Sequence, residues 1–563
     1  MQSANHHSSY LAFQIIAVFL ACVIAGCSNG DAQETYDVVI LNGRVMDPET
    51  NFDAIRNVGI NEGAIVTITE DEISGKESID ASGHVVTAGF IDSQHHGHGN
   101  IWSVKVSLRD GVTTPLDLEF GNMNVAKWYE EREGQWPVNY GAAVSHEMHR
   151  MSVLDGMNIT EPVDAKEALA RLRGESYDEN GVPDWSVTVP TLEQLNEIMA
   201  GVDEDLRQGA LTAGSTMGYM GSGASTLEVF NYQKAAANYG RGSSFHVRLL
   251  GNKNPPHEGT LGAWEQLVNG MALDAPVLFS HNNNYGWWEI EEHARLFRDQ
   301  GKNVWSEYYP YTCGSSTIGS EFLAPDRIAG LGVDYENMLD PRTGDTYTVD
   351  SYQAQVAKDP GYLIILCFPV KEEWMTMWLS VPHMVVAGDG MPGVDADGNS
   401  LGWDDPYEKY VGHPRTAGSH AKTFRLAREN NVPLMQTIAQ NSYWSALHLG
   451  DAGLEAMQVR GRMQEGMVAD ITIFDPETIT DNATYVLGEN GLPSTGIPYV
   501  LVNGVIMVKD SKVQNGVFPG QSIRYPVEEN GRWVPLEREG YLENLLAPED
   551  SFLSDDLAPA GDH

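Results

Sequence analysis

Between residues 89 and 389 the chain carries eight short apolar runs, each followed by a stretch of helical period or a polar loop. The runs are Gly89–Asp92, Thr113–Glu119, Asn139–Ser145, Gly209–Ser215, Ser244–Leu249, Pro276–His281, Val304–Tyr309 and His383–Asp389. Between them lie segments such as TLEQLNEIMAGVDEDLRQ and EEHARLFRDQGK, with an apolar stripe on one face and charge on the other. Buried parallel strands read as continuous apolar runs, and a parallel pair needs a crossover, usually a helix. Eight such units predict an α/β fold, a (β/α)8 TIM-like barrel.

The ends of the chain have another texture. YDVVILNG, NVGINEG and AIVTITE near the start, with DITIFD and YVLVNGVIMV near the end, are short runs closed by Gly, Asn or an acid. They predict one small β-sandwich domain assembled from both ends, residues 36–88 and 456–530, around a barrel spanning 89–455. Residues 326–370, rich in Gly, Asp and Pro, read as an insertion after the seventh strand, placed where loops cover active sites. Residues 531–563 form an acidic tail, expected to be loosely ordered from Leu542 onward.

Residues 1–27 read as a lipoprotein-type signal segment and 28–35 as a linker. Tyr10 to Gly26 is apolar and uncharged, and Ile24-Ala25-Gly26-Cys27 places small residues before a cysteine, as a lipobox does. Cys27 is the expected lipidation site. No Lys or Arg precedes the apolar run, so an uncleaved anchor stays open. Both readings place the remainder in the periplasm or cell envelope, with membrane contact only through that segment. Lys and Arg total 35 against 78 Asp and Glu, a field that repels nucleic acid and anionic lipid. Outside the leader only Cys313 and Cys367 remain, so one bridge is open and a disulfide framework is not implied.

Functional groups of such barrels stand at the C-terminal ends of strands. There the sequence places Asp92, Gln94, His95, His96 and His98, then Asp117 and Glu119, His146, His246 with Arg248, His281 and Asp389. A lone histidine at a strand end is usually a hydrogen-bonded polar residue. Several imidazoles and carboxylates converging on one mouth are what zinc or a similar cation takes. His146-Glu-Met-His149 is one residue too short for a pair of zinc ligands at i, i+4. Gly218 to Ser225, GYMGSGAS, is glycine-rich without being a phosphate loop and reads as a pocket wall.

At these residues the chain resembles the amidohydrolase superfamily, and within it the N-acyl-D-amino-acid deacylases, or D-aminoacylases. The resemblance runs from about Asp37 to Arg524 and rests on GFIDSQHHG, GVTTPLDLE, HVR, SHNN, YPYT, GDGMP and HPRTAG in that order. LDLEFG and the segment after it look closest to the N-acyl-D-glutamate branch. The resemblance implies a metal-dependent hydrolase of small N-acyl amino acids, with a tight Zn2+ site at Glu119, His246 and His281. A weaker second site would use Gln94, His96 and Asp389, and Asp389 would be the catalytic acid/base. Arg248 and Arg415 become candidates for a substrate carboxylate, and Tyr309 or Tyr311 for a developing oxyanion. A structural ion pair is the competing role for each arginine.

Gln94 stands where the family's H-x-H pattern has its first histidine, and an amide oxygen is the poorer zinc ligand. The expectation is one tight metal with the second position empty or labile. Replacement of the missing ligand by His95 or His98, or loss of the metal chemistry, stays open. Competing functions are a cyclic-amide hydrolase or peptidase of the same superfamily, and a surface-anchored binding protein on a degenerate barrel.

Overall fold

The computed structural model describes residues 35–163, 171–176 and 183–538. The signal segment with Cys27, most of the linker and the end of the tail lie outside these residues. Strands β1 (Thr35–Asp47), β2 (Phe52–Asn61), β3 (Ala64–Thr69), β4 (Ser74–Asp80) and β5 (Val85–Ala88) open the chain. Their apolar positions bury Ile40, Val45, Val58, Ile60 and Ile65 in one cluster with Ile471, Ile473 and Leu501 from the far end. That burial is why the two ends make one sheet. Near the C-terminus β17 (Ile471–Phe474) pairs antiparallel with β5, through Ile471↔Ala88 to Phe474↔Val85. It is followed by β18 (Tyr499–Val502), β19 (Val505–Lys509) and β20 (Lys512–Val513), completing nine strands.

Between the ends lie β6 (Phe90–Asp92), β7 (Val112–Asn122), β8 (Gly141–Ser145), β9 (Ala213–Ser215), β10 (Ser243–Phe245), β11 (Val277–Phe279), β12 (Val304–Tyr308) and β16 (Met384–Val386). They form one eight-stranded parallel sheet in sequence order, with helices between most neighbours. Each of the eight expected runs holds one strand, so the barrel expectation is borne out. The sheet closes through main-chain contacts just past β6 and β16. The Asp389 N–H donates to the Gln94 carbonyl at 2.7 Å, and His95 bridges to Gly390. Closure therefore falls among the candidate site residues.

The insertion starts earlier than residue 326. Strand β13 (Cys313–Thr317) pairs antiparallel with β15 (Leu363–Cys367), and β14 (Met338–Leu339) completes a three-stranded sheet. β13 reads CGSST, with no apolar run to mark it. The insertion has its own core, including Ile318, Leu323, Leu331, Tyr335, Tyr352 and Ile364. A disulfide joins Cys313 to Cys367 at directly opposed positions of β13 and β15. The first part of the acidic tail is docked: Trp533 and Leu536 pack on the large barrel cluster, and the Leu536 N–H donates to Asn196 at 2.8 Å. Among the described residues no helix is long and apolar enough to cross a membrane.

Candidate metal centre

Residues two apart on a strand share a face. At the end of β7 this sends Asp117 and Glu119 inward while Leu116 and Leu118 pack into an apolar cluster with Leu278 and Leu449. His246 follows β10 and His281 follows β11. Ligand atoms of Glu119, His246 and His281 all lie within 4.8 Å of one another. His281 Nε2 is 2.9 Å from Glu119 Oε2, and His246 Nδ1 is 3.9 Å from Glu119 Oε1. Glu119 and His281 are buried, and burial followed by the neighbouring His281 holds His246 well below the usual imidazole range. Two imidazoles and a carboxylate in a buried pocket fit zinc or a similar borderline cation.

Asp389 is held beside this cluster from two sides. His96 Nε2 stands 3.1 Å from its Oδ1, and Arg415 Nη1 stands 2.7 Å from its Oδ2. Burial would raise the carboxyl, but Arg415 and His96 bring it well below the usual carboxylate range. The other nitrogen of His96 meets Asp117 at 3.0 Å. Burial opposes charge on His96, yet Asp117 and Asp389 raise it well above its ordinary value. Both His281 and Asp389 sit at positive φ, 31° and 46°, a conformation that costs non-glycine residues energy and collects at functional sites.

Gln94 reaches the cluster through the nitrogen end of its amide. Its amide nitrogen donates to Glu119, and among the described residues its buried Oε1 has no hydrogen-bond partner. Its histidine neighbours hold other partners in this structure. His95 Nε2 bonds Ser107 at 2.8 Å, and His98 Nδ1 bonds the His95 carbonyl at 2.9 Å.

A cavity of about 490 Å3 opens over the cluster, lined by Glu119, His246, His281, His96, Asp389, Arg415 and Tyr309. Its farther wall is largely apolar, with Leu249, Leu250, Phe322, Leu331, Leu366 and Phe368, several of them from the insertion. The glycine-rich segment forms another wall through Gly218, Tyr219, Gly221 and Ser222. Gly218 passes so close to His246 that a Cβ there would collide with the imidazole ring.

Two expected substrate contacts lie elsewhere. Arg248 is not in the cavity lining. Its guanidinium is bound by Glu265 at 2.6 Å and by the carbonyls of Gly221 and Ala224, so it pins the glycine-rich wall from behind. Tyr311 is buried outside the lining, its hydroxyl without a partner among the described residues and its ring under Lys422. His146 bonds Ser215 and Glu228, and His149 bonds Asp205, both as buried structural pairs.

Sequence reasoning missed Arg173 and Glu307. Arg173 lines the cavity, is bound by Glu147 at 2.6 Å and lies over the Tyr219 ring. Glu307 is buried at the end of β12. Its carboxyl accepts from Ser93 and from the His281 N–H at 3.3 Å, so it helps hold the strained ligand backbone. Burial, with Glu119 and Asp92 nearby, raises it well above the usual carboxylate range. Its signal was available: an acid at a strand end, in WSEYY.

An eight-stranded parallel barrel, a β domain built from both chain ends and a buried cluster of Glu119, His246 and His281 occur together in this chain. No family model matches the chain. It is 23% identical over 498 residues to the D-aminoacylase of Alcaligenes xylosoxydans xylosoxydans, covering 85% of this chain and 95% of that one. It is 25% identical over 503 residues to the N-acyl-D-glutamate deacylase of the same organism, covering 84% and 93%. The crystal structure of the N-acyl-D-glutamate deacylase of Bordetella bronchiseptica, complexed with zinc and a phosphonate mimic of the tetrahedral intermediate, superposes with a TM-score of 0.68. The identity is 21%, over 87% of this chain and all of that one. Along most of its length the chain is thus similar to the N-acyl-D-amino-acid deacylases.

Proposed function

We propose that the protein is a metal-dependent amidohydrolase that removes the acyl group from N-acyl-D-amino acids. The observation that carries this is the convergence of Glu119, His246 and His281 at the floor of a cavity beside an ionised Asp389. Glu119, His246 and His281 would hold a zinc-like cation, which would supply Lewis acidity to an amide carbonyl and to water. Asp389 takes the proton of the attacking water and returns it to the leaving nitrogen. His96 and Arg415 hold that carboxylate ionised and aimed. Tyr309 stands at the cavity edge to donate to developing charge on the carbonyl oxygen.

One tight cation per chain is the expected loading. The second position would depend on Gln94 Oε1, a neutral amide oxygen and a poorer zinc ligand than imidazole. The apolar far wall suits an apolar acyl or side chain, and N-acetyl-D-glutamate is the acidic member to test against it. We also place the protein in the cell envelope. The Cys313–Cys367 bridge belongs to an oxidising compartment, and the leader with Cys27 points there too.

The test is metal analysis of protein purified without chelator, with a panel of N-acetyl-D- and L-amino acids and hydantoin-type rings. D-selective release of acetate is expected, and preference for the rings or for L isomers would overturn the reading. Asp389→Asn should abolish turnover with metal retained. A protein that carries no metal and gains no activity with added zinc belongs to the binding-protein class.

A further inference from the structure

The insertion delivers a buried lysine to the carboxylate end of this cavity. Lys371 lies on the 3-10 turn Pro369–Glu373 that follows β15, four residues beyond the disulfide at Cys367. It is 1% exposed. Lysines are almost never buried to this degree without an anion, because an unpaired ammonium loses its hydration for nothing. Among the described residues no carboxylate pairs with it. Its one polar side-chain contact is a long one, 3.5 Å to Asn283 Oδ1, and Asn283 in turn donates to the Tyr309 carbonyl at 3.0 Å.

Tyr309 connects this lysine to the cavity. Lys371 Nζ stands 5.3 Å from the centre of the Tyr309 ring, and Arg415 Cζ stands 4.8 Å from it. Two cations therefore share one ring, and that ring lines the cavity. Arg415 is largely neutralised by Asp389 at 2.7 Å. A substrate anion arriving there would find little net charge from Arg415 alone. Lys371 restores it. The nearby Phe368 ring, 4.9 Å from Nζ, excludes water from the ammonium and leaves its field unscreened. Burial first, and Arg415 second, hold the ammonium down to about 7 against the pull of Asp389, so an arriving anion also drives Lys371 to its fully charged form.

We propose that Lys371 is the specificity-setting cation of this cavity, supplying with Arg415, through Tyr309 and Asn283, the positive charge that receives the substrate's α-carboxylate. This rests on the deacylase reading of the site. Lys371 is not in the cavity lining, so it acts through Tyr309 and by its field, as a positioning residue. The consequence is discrimination between a free acid and its uncharged amide, which a purely structural lysine would not set.

The experiment compares N-acetyl-D-leucine with its carboxamide in wild-type enzyme, Lys371→Met and Lys371→Arg. Wild-type enzyme is expected to favour the acid. In Lys371→Met the KM for the acid should rise by about tenfold or more, with kcat kept within about threefold and the carboxamide unaffected. Lys371→Arg should recover most of the loss. Equal losses on both substrates, or no change on either, would overturn the proposal. If Lys371→Met does not fold, Lys371→Gln takes its place, and the wild-type preference decides independently. An enzyme that cleaves acid and carboxamide equally refutes the lysine's role and leaves the deacylase reading intact. An enzyme that cleaves neither refutes the deacylase reading, and this proposal with it.

Discussion

Reducing the Cys313–Cys367 bridge, or replacing both residues by serine, should loosen the cavity wall while leaving the barrel folded. The bridge joins residues 54 apart in sequence, at opposed positions of β13 and β15. On the loop-entropy relation, a closed loop of that length is worth about 4 kcal/mol, and real bridges often deliver about half of that. The three-stranded sheet is small and its core is separate from the barrel clusters. The loss therefore falls on the insertion, and about 2–4 kcal/mol raises its open population by roughly 30- to 1,000-fold. Gly314 to Thr317, Leu363, Leu366 and Phe368 line the cavity from the strands that the bridge fastens and their flanks. Limited proteolysis, with and without dithiothreitol, reads the opening directly. New cleavage between residues 318 and 362, a raised KM and an unchanged unfolding midpoint for the barrel are expected. Equal cleavage rates and equal KM in oxidised, reduced and double-serine protein would refute the reasoning, since the insertion would then be held by its packing alone.

Other perturbations separate the remaining roles. Burial holds His448 down to about 3 against an ordinary 6.5, so the unfolded chain binds a proton the folded chain refuses. Its contribution is whole above about pH 6.5 and is lost as pH falls towards 3, up to about 4–5 kcal/mol. His448→Gln should flatten the pH dependence of urea unfolding by one proton over that window, and an unchanged slope would count against it. Arg248→Met should lower the melting temperature, because Glu265 and two carbonyls lose their partner, with KM changed by less than about threefold. A large KM effect without loss of stability would restore Arg248 to substrate binding. Gln94→His should raise bound zinc from about one towards about two per chain, because an imidazole would join His96 and Asp389. An unchanged ratio by elemental analysis would show that the second position fails for another reason.

The barrel was legible because its strands are buried on both faces, and such strands declare themselves as apolar runs whatever surrounds them. The split β domain was legible through period-two alternation at both ends. The insertion was half legible. Its Gly- and Asp-rich middle stood out, but β13, spelled CGSST, is held by pairing and by a disulfide rather than by apolar content. The start of the tail was not legible for the converse reason: Trp533 and Leu536 pack on the barrel as two apolar side chains scattered among acids.

Within the site, strand periodicity sends Glu119 and Asp117 inward together, and strand ends deliver His246 and His281, so position along a strand was enough to gather them. Position could not tell one arginine from another. Arg248 follows a barrel strand, as an active-site residue would, yet Glu265 lies 17 residues on and Gly221 lies 27 back, and the fold folds both onto its guanidinium. Arg415 lies far from any strand end and still reaches Asp389 at 2.7 Å. The ion-pair role therefore fits both arginines, and only the cavity separates a pair that faces substrate from a pair that supports a wall. Lys371 was the least legible of all. Next to Glu372 and Glu373 it reads as a solvated charge cluster, and only the insertion's path across the barrel mouth turns it inward. What a charge is for depends here on which acids reach it first, and local sequence does not carry that order.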